Sequence, residues 1–144
     1  MPATCEAQAV NFIAALGIFI GAGFGALARW GLGLALNPLF PTVPLGTLAA
    51  NTVGGLLMGV LLALFNQFDA LPPALRLALM TGFLGGLTTF STFSAEITTL
   101  MMRGQFGWAG AGIALHVGLS LLATWVAYAA THALLQAQFQ GASS

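Results

Sequence analysis

TGFLGGLTTFSTFSAE, Thr81 to Glu96, decides how this chain is read. The glycine pair Gly85 and Gly86 interrupts an apolar run, and a dense series of hydroxyls with two phenylalanines follows it. An ordinary membrane-spanning helix has no use for that pattern. At membrane depth every backbone N–H and C=O needs a partner. A broken helix is tolerated there only where its freed groups are buried in protein or face an ion or water. The segment is therefore expected to break near Gly85 to Thr88 and to form part of a conduction or binding site.

Composition makes the bilayer the right solvent. Of 144 residues 58% are hydrophobic and only 4% are charged, whereas a soluble domain carries about 25% charged residues. Glu6, Arg29, Asp69, Arg76, Glu96 and Arg103 are the whole inventory of formal charge. With no lysine and a net charge of zero there is no basic footprint for phosphates, which excludes a nucleic-acid partner. The single Cys5 has no cysteine to pair with and no histidine beside it to share a metal. A cleavable signal peptide fits poorly, since the first apolar stretch follows Glu6 without a basic flank and is too long for an h-region.

A crossing takes about 20 apolar residues. On that scale the chain is an all-α integral membrane protein, one four-helix domain over residues 1–144. Its helices are expected over roughly 11–35, 45–66, 73–102 and 106–135. Both termini then lie on one side. NPLFPTVP, Asn37 to Pro44, stops the first helix with three prolines, and NQFDALPP, Asn66 to Pro73, ends in a proline pair suited to a first helical turn. The link around Arg103 to Gln105 is very short, and the Gly-Ala-Ser-Ser tail is expected to fray. Orientation follows excess Lys and Arg in cytoplasmic loops. Here Arg76 falls on the face of the termini, and Arg29 and Arg103 belong to the other. So little asymmetry leaves two outcomes open: insertion both ways up with an antiparallel homodimer, or one orientation fixed by Arg29 with Arg103.

GAGFGALARW, Gly21 to Trp30, has the spacing G-x-G-x-G and no preceding strand, so a dinucleotide loop is rejected. Gly21 and Gly25 instead share a helical face, as close helix packing requires. In PLGTLAANTVGGLLMG, Pro44 to Gly59, the glycines Gly55 and Gly59 allow the same contact. Asn51 is either interhelical glue or a pair of amide donors able to replace water around an anion, and Thr47 lies one turn earlier on its face. In the third helix Phe90 and Phe93, three apart, project together. The positive edges of their rings can approach an anion, although packed or lipid-facing rings would have the same spacing. Thr88, Thr89, Ser91, Thr92 and Ser94 surround them with hydroxyls. Carbonyls freed at Gly85 to Thr88 are hard acceptors, suited to a small cation.

GAGFGALARW, PLGTLAANTVGGLLMG and GFLGGLTTFSTFSAE together resemble the CrcB, or Fluc, family of fluoride channels, in order and over about four-fifths of the chain. The resemblance implies a fluoride-selective passive channel in the bacterial inner membrane. It also implies an antiparallel, dual-topology homodimer of four-helix subunits with two fluoride pathways and a central structural sodium ion. By motif, Gly85 and Thr88 would offer backbone carbonyls to that sodium. Phe90, Phe93 and Asn51 would line the fluoride route, with Thr47, Thr89, Ser91 and Thr92 as its hydroxyls. The fourth helix departs from the hydroxyl and tyrosine pattern of the family: His116, Ser120 and Thr124 form its polar stripe at successive i, i+4 positions. His116 could donate to the track or be satisfied by a neighbouring helix, and His132 is expected near the interface. Arg29 and Glu96 are ionisable at or near membrane depth and therefore functional candidates.

The main rival is a small multidrug-resistance type proton antiporter. That chemistry needs an acid within the first helix, where none occurs after Glu6. A subunit that only packs helices in an assembly is the third possibility. No nucleophile, base and orienting acid stand at motif spacing, so an enzyme is not expected.

Overall fold

Four long apolar helices run back and forth in a computed structural model. It describes residues 2–40, 42–68 and 71–141, and their side chains except those of residues 2–11, 139 and 141. Expectations for Cys5, Glu6, Asp69 and the Gly-Ala-Ser-Ser tail lie outside the described parts. The elements are α1 (Pro2–Leu36), α2 (Leu45–Gln67), α3 (Pro73–Leu77), a wide π-type turn segment (Ala78–Leu84), α4 (Gly85–Leu87), α5 (Phe90–Met102) and α6 (Phe106–Gly141). Four stretches are long and apolar enough to cross a membrane: Phe12–Leu39, Leu45–Gln67, Pro73–Met102 and Phe106–Gln138. Helix α6 continues six residues beyond the expected end at 135, because polar Gln136 and Gln138 prolong a helix whose apolar part alone marks the crossing.

Glycine decides how closely these helices approach. A Cβ on Gly21 would lie 2.5 Å from the Ala78 carbonyl oxygen and 2.9 Å from the Phe83 nitrogen. In return, a Cβ on Gly82 would meet the Ile18 carbonyl oxygen at 2.8 Å. Gly25 and Gly86 continue the seam one turn on, against Phe83 and Ala22 respectively. Two small-xxx-small faces thus meet between α1 and the first half of the third span, where backbone contact replaces the missing hydrophobic drive. Gly55 does the same against the Ser120 carbonyl of α6, 2.7 Å from its notional Cβ, and Gly59 against Thr124. The expected glycine contacts are therefore all made within one chain.

Helix α2 lies between α1 and α6. Its Ala50 joins Leu84 and Leu87 in one buried cluster, and Phe93, Ile97, Leu100 and Ala109 form a second between α5 and α6. At one end the Asn37 side-chain oxygen accepts the Gly46 N–H at 2.8 Å, bracing the proline-rich connection, and Phe40 meets Trp108 edge-on. At the other, Arg76 donates to the carbonyls of Phe65 and Phe68 and stacks over Phe65, a cation at the negative end of α2. The outer surface is apolar: Phe12, Phe19, Phe24, Leu121 and Trp125 are all exposed, as a lipid-facing surface requires.

Candidate functional site

The third span breaks at Thr88 and Thr89, the far edge of the expected interval. Thr88 is extended at φ −86°, ψ 154° and Thr89 at φ −151°, ψ 118°, whereas Gly85 to Leu87 are helical. Of the glycine pair Gly86 contributes close packing against Ala22, and the extended residues are β-branched threonines that suit that conformation. Thr89 then starts α5 as an N-cap, its Oγ1 accepting the Thr92 N–H at 3.1 Å. On the other side of the break, the Leu84 carbonyl accepts both the N–H and the hydroxyl of Thr88, and the Gly86 carbonyl accepts from Arg29 Nε at 3.1 Å. Gly85 and Thr88, whose carbonyls the family resemblance names for sodium, both border the cavity beside the break. Gly85 is exposed, and a Cβ there would meet only the Met80 oxygen, at 3.9 Å.

Asn51 clamps the break. Its Oδ1 accepts the Thr89 N–H at 2.8 Å, and its Nδ2 donates to the Thr89 carbonyl at 3.2 Å. The same nitrogen stands 3.3 Å from Nδ1 of His116. Phe93 packs on the His116 ring with centroids 4.8 Å apart, and Phe90 lies 5.4 Å from Phe93. These residues surround a cavity of ≈ 450 Å³, with Gly85, Thr88 and Thr89 at the break and Ser120 on α6. Phe93 and His116 are buried, but Phe90 is 78% exposed, so the cavity opens on the flank of the subunit.

A second cavity of ≈ 430 Å³ lies toward the Asn37 end, lined by Arg29, Trp30, Asn37, Thr47 and Thr92. The structure separates Thr47 from Asn51: Thr47 donates to Glu96 Oε1 at 2.6 Å and faces this cavity. The other carboxylate oxygen, Oε2, is buried without a partner. No ion pair joins Arg29 to Glu96 among the described residues; each is held by a neutral partner. The two cavities are linked by hydroxyls. Thr89 lines the first and Thr92 the second, and Thr89 Oγ1 donates to Thr92 Oγ1 at 3.0 Å, with Ser91 Oγ 3.2 Å away. Ser94 and Thr124 instead give their hydrogens back to Phe90 and Ser120 carbonyls, as membrane-helix hydroxyls commonly do.

Sequence reasoning thus finds Asn51, Phe93, Thr89, His116 and Ser120 together, with Thr47 and Thr92 one cavity away. It misses the Thr47–Glu96 and Arg29–Gly86 bonds, which join residues far apart in the chain. His132 is on α6 near its end, stacked on Tyr128. Among the described residues no cluster of three or more His, Cys, Asp or Glu could hold a metal. Thr47→Val is expected to lower stability by about 1–3 kcal/mol, because it leaves the Glu96 carboxyl without its donor. Thr47→Ser should restore it, and thermal unfolding in detergent checks both.

Fold and site define a small multi-pass membrane protein with a broken third span and two cavities joined by hydroxyls at the break. The family profile described as CrcB-like protein, Camphor Resistance (CrcB), matches residues 16–128, and the chain belongs to that family. It is 56% identical over 124 residues to the fluoride-specific ion channel FluC of Aromatoleum aromaticum, covering 86% of this chain and 95% of that relative. Likeness to the same-named proteins of Burkholderia ambifaria (54% over 122 residues; 82% and 95% covered) and Tolumonas auensis (55% over 121; 84% and 94%) is similar.

Proposed function

We propose that the protein is a fluoride-selective passive channel. The hydroxyl bridge from Thr92 to Thr89 at the helix break carries this reading, because it runs from a side chain lining one cavity to a side chain lining the other. Fluoride is small and strongly hydrated, so a passage must replace its water with compact donors in a narrow track. Arg29 supplies positive charge at the Asn37-end cavity and attracts the anion there. Thr92, Ser91 and Thr89 then offer hydroxyls, and the Phe90 and Phe93 ring edges, Asn51, His116 and Ser120 line the remainder. Larger halides fail on width and donor geometry. A negative-inside potential drives the anion outward, so the channel lowers cytoplasmic fluoride.

The active unit is an antiparallel homodimer inserted in both orientations. One chain leaves its cavity open beside an exposed Phe90, and a second copy related by an axis in the membrane plane would close it. A sodium ion fits the same junction. The Gly85 and Thr88 carbonyls are hard oxygen donors, and with two chains there are four. The bound cation would offset the cost of bringing fluoride into low dielectric. Reporters active on one side only, fused to the C-terminus, should give signal from both sides; signal from a single side would refute dual insertion. No observation favours the antiporter: Glu96 lies in the third span, bonded to Thr47.

Single-channel recording in planar bilayers tests the proposal. An ohmic current carried by fluoride, with a reversal potential unchanged by a proton gradient, is expected. A current that follows protons, or none from folded protein with sodium present, would overturn it. His116→Ala should change conductance more than assembly, and unchanged conductance would remove His116 from the route.

A further inference from the structure

The bonds of Asn51 also decide where His116 carries its proton. The Asn51 amide cannot be reversed, because its Oδ1 takes the Thr89 N–H and its Nδ2 gives to the Thr89 carbonyl. Flipped, it would set donor against donor and acceptor against acceptor. The Nδ2 that faces His116 Nδ1 at 3.3 Å is thus a nitrogen that only donates. Nδ1 must accept through its lone pair, which places the hydrogen of the neutral ring on Nε2. No described residue bonds to Nε2, and His116 borders the cavity.

We infer that His116 is a positioning residue for the fluoride route: neutral, it holds Asn51 on the broken backbone and keeps one N–H for the cavity, and protonated it lets Asn51 go and slows conduction. This rests on reading the cavity as the fluoride route. The ring has little freedom to avoid the conflict. A protonated imidazole carries N–H on both nitrogens, so Nδ1–H would point at Asn51 Nδ2–H. Phe93 lies 4.8 Å from the ring at 35° and restricts its rotation. Asn51 can turn away only by giving up both Thr89 bonds. The groups set against the ring are Asn51 of α2 and Phe93 of α5, and neither ionises. Glu96 is bonded to Thr47 and Arg29 to the Gly86 carbonyl, so no charged group contacts the ring among the described residues.

The test begins with ¹⁵N-histidine spectra of the full chain in bilayers, assigned by the signal missing from His116→Gln. At about pH 8, hydrogen on Nε2 and a bare Nδ1 are expected for His116; hydrogen on Nδ1 would overturn the inference whatever the flux. Fluoride efflux from liposomes, with protein-free leak subtracted, is then compared between about pH 8 and about pH 5.5. The wild type should slow about twofold, because the Asn51 bond that protonation breaks itself opposes protonation and leaves only about half of the rings charged at the lower pH. His116→Gln, which accepts a hydrogen bond without titrating, should keep its own rate throughout. The same slowing in both proteins would overturn the latch. The expected tautomer with no fluoride flux at either pH would instead overturn the fluoride-route reading, and the latch with it.

Discussion

Asn51→Ala is expected to abolish fluoride efflux, lowering the rate at least about a hundredfold, and to cost about 2–5 kcal/mol of stability. Both losses follow from one geometry. The Asn51 amide makes a paired contact with the backbone of Thr89, where the third span has no helical partner to offer. Alanine leaves the Thr89 N–H and C=O together without partners at membrane depth, and also strips His116 of its donor. Asn51→Asp separates the two effects. It keeps an acceptor for the Thr89 N–H but cannot donate to the carbonyl or the ring. It also places negative charge beside an anion route, so its flux should be as low as alanine's while its stability lies between. Efflux assays and thermal unfolding of the same preparations check this. Asn51→Ala protein that conducts at the wild-type rate would mean the break needs no clamp.

Gly21→Val is expected to prevent formation of the folded protein, with a cost of about 3 kcal/mol or more. The nearest atoms to its Cβ, the Ala78 oxygen and the Phe83 nitrogen, belong to backbone and cannot rotate away. Relief would require α1 to move off the wide-turn segment, pulling Gly25 away from Phe83 and Gly82 away from Ile18. Gly23→Val is the internal control, because a Cβ there has nothing within 4 Å. It should behave as wild type in size-exclusion profile and thermal scan. Equal behaviour of the two variants would mean that the α1 seam is not what holds the third span in place.

How much of this could be read from residues depends on whether the signal was local. The four crossings, the glycine seams and the break were legible, since each is a periodicity or an interruption within one stretch. The exact site of the break was less so, because Gly85 and Gly86 look like breakers and are instead helical, Gly86 packing against Ala22. The N-cap signal of Thr89 before the α5 run marks the true restart. The wide turn at Ala78–Leu84 left no trace in composition; it packs against α1. Equally invisible were the partners of Arg29, Glu96 and Asn51. Arg29 bonds a backbone carbonyl 57 residues away, and Thr47 and Glu96 are 49 apart. Thr47 and Asn51 share a helical face by spacing, yet they face different cavities because their partners lie apart along the third span, Thr89 at the cap of α5 and Glu96 within it.

The central claim is tested most directly by loading liposomes that contain the purified protein with potassium fluoride or potassium chloride, then following release with ion-specific electrodes. The account predicts rapid fluoride release only after a potassium ionophore is added, with negligible chloride release under the same conditions. Equal release of both halides, or no fluoride release from folded protein with sodium present, would contradict it.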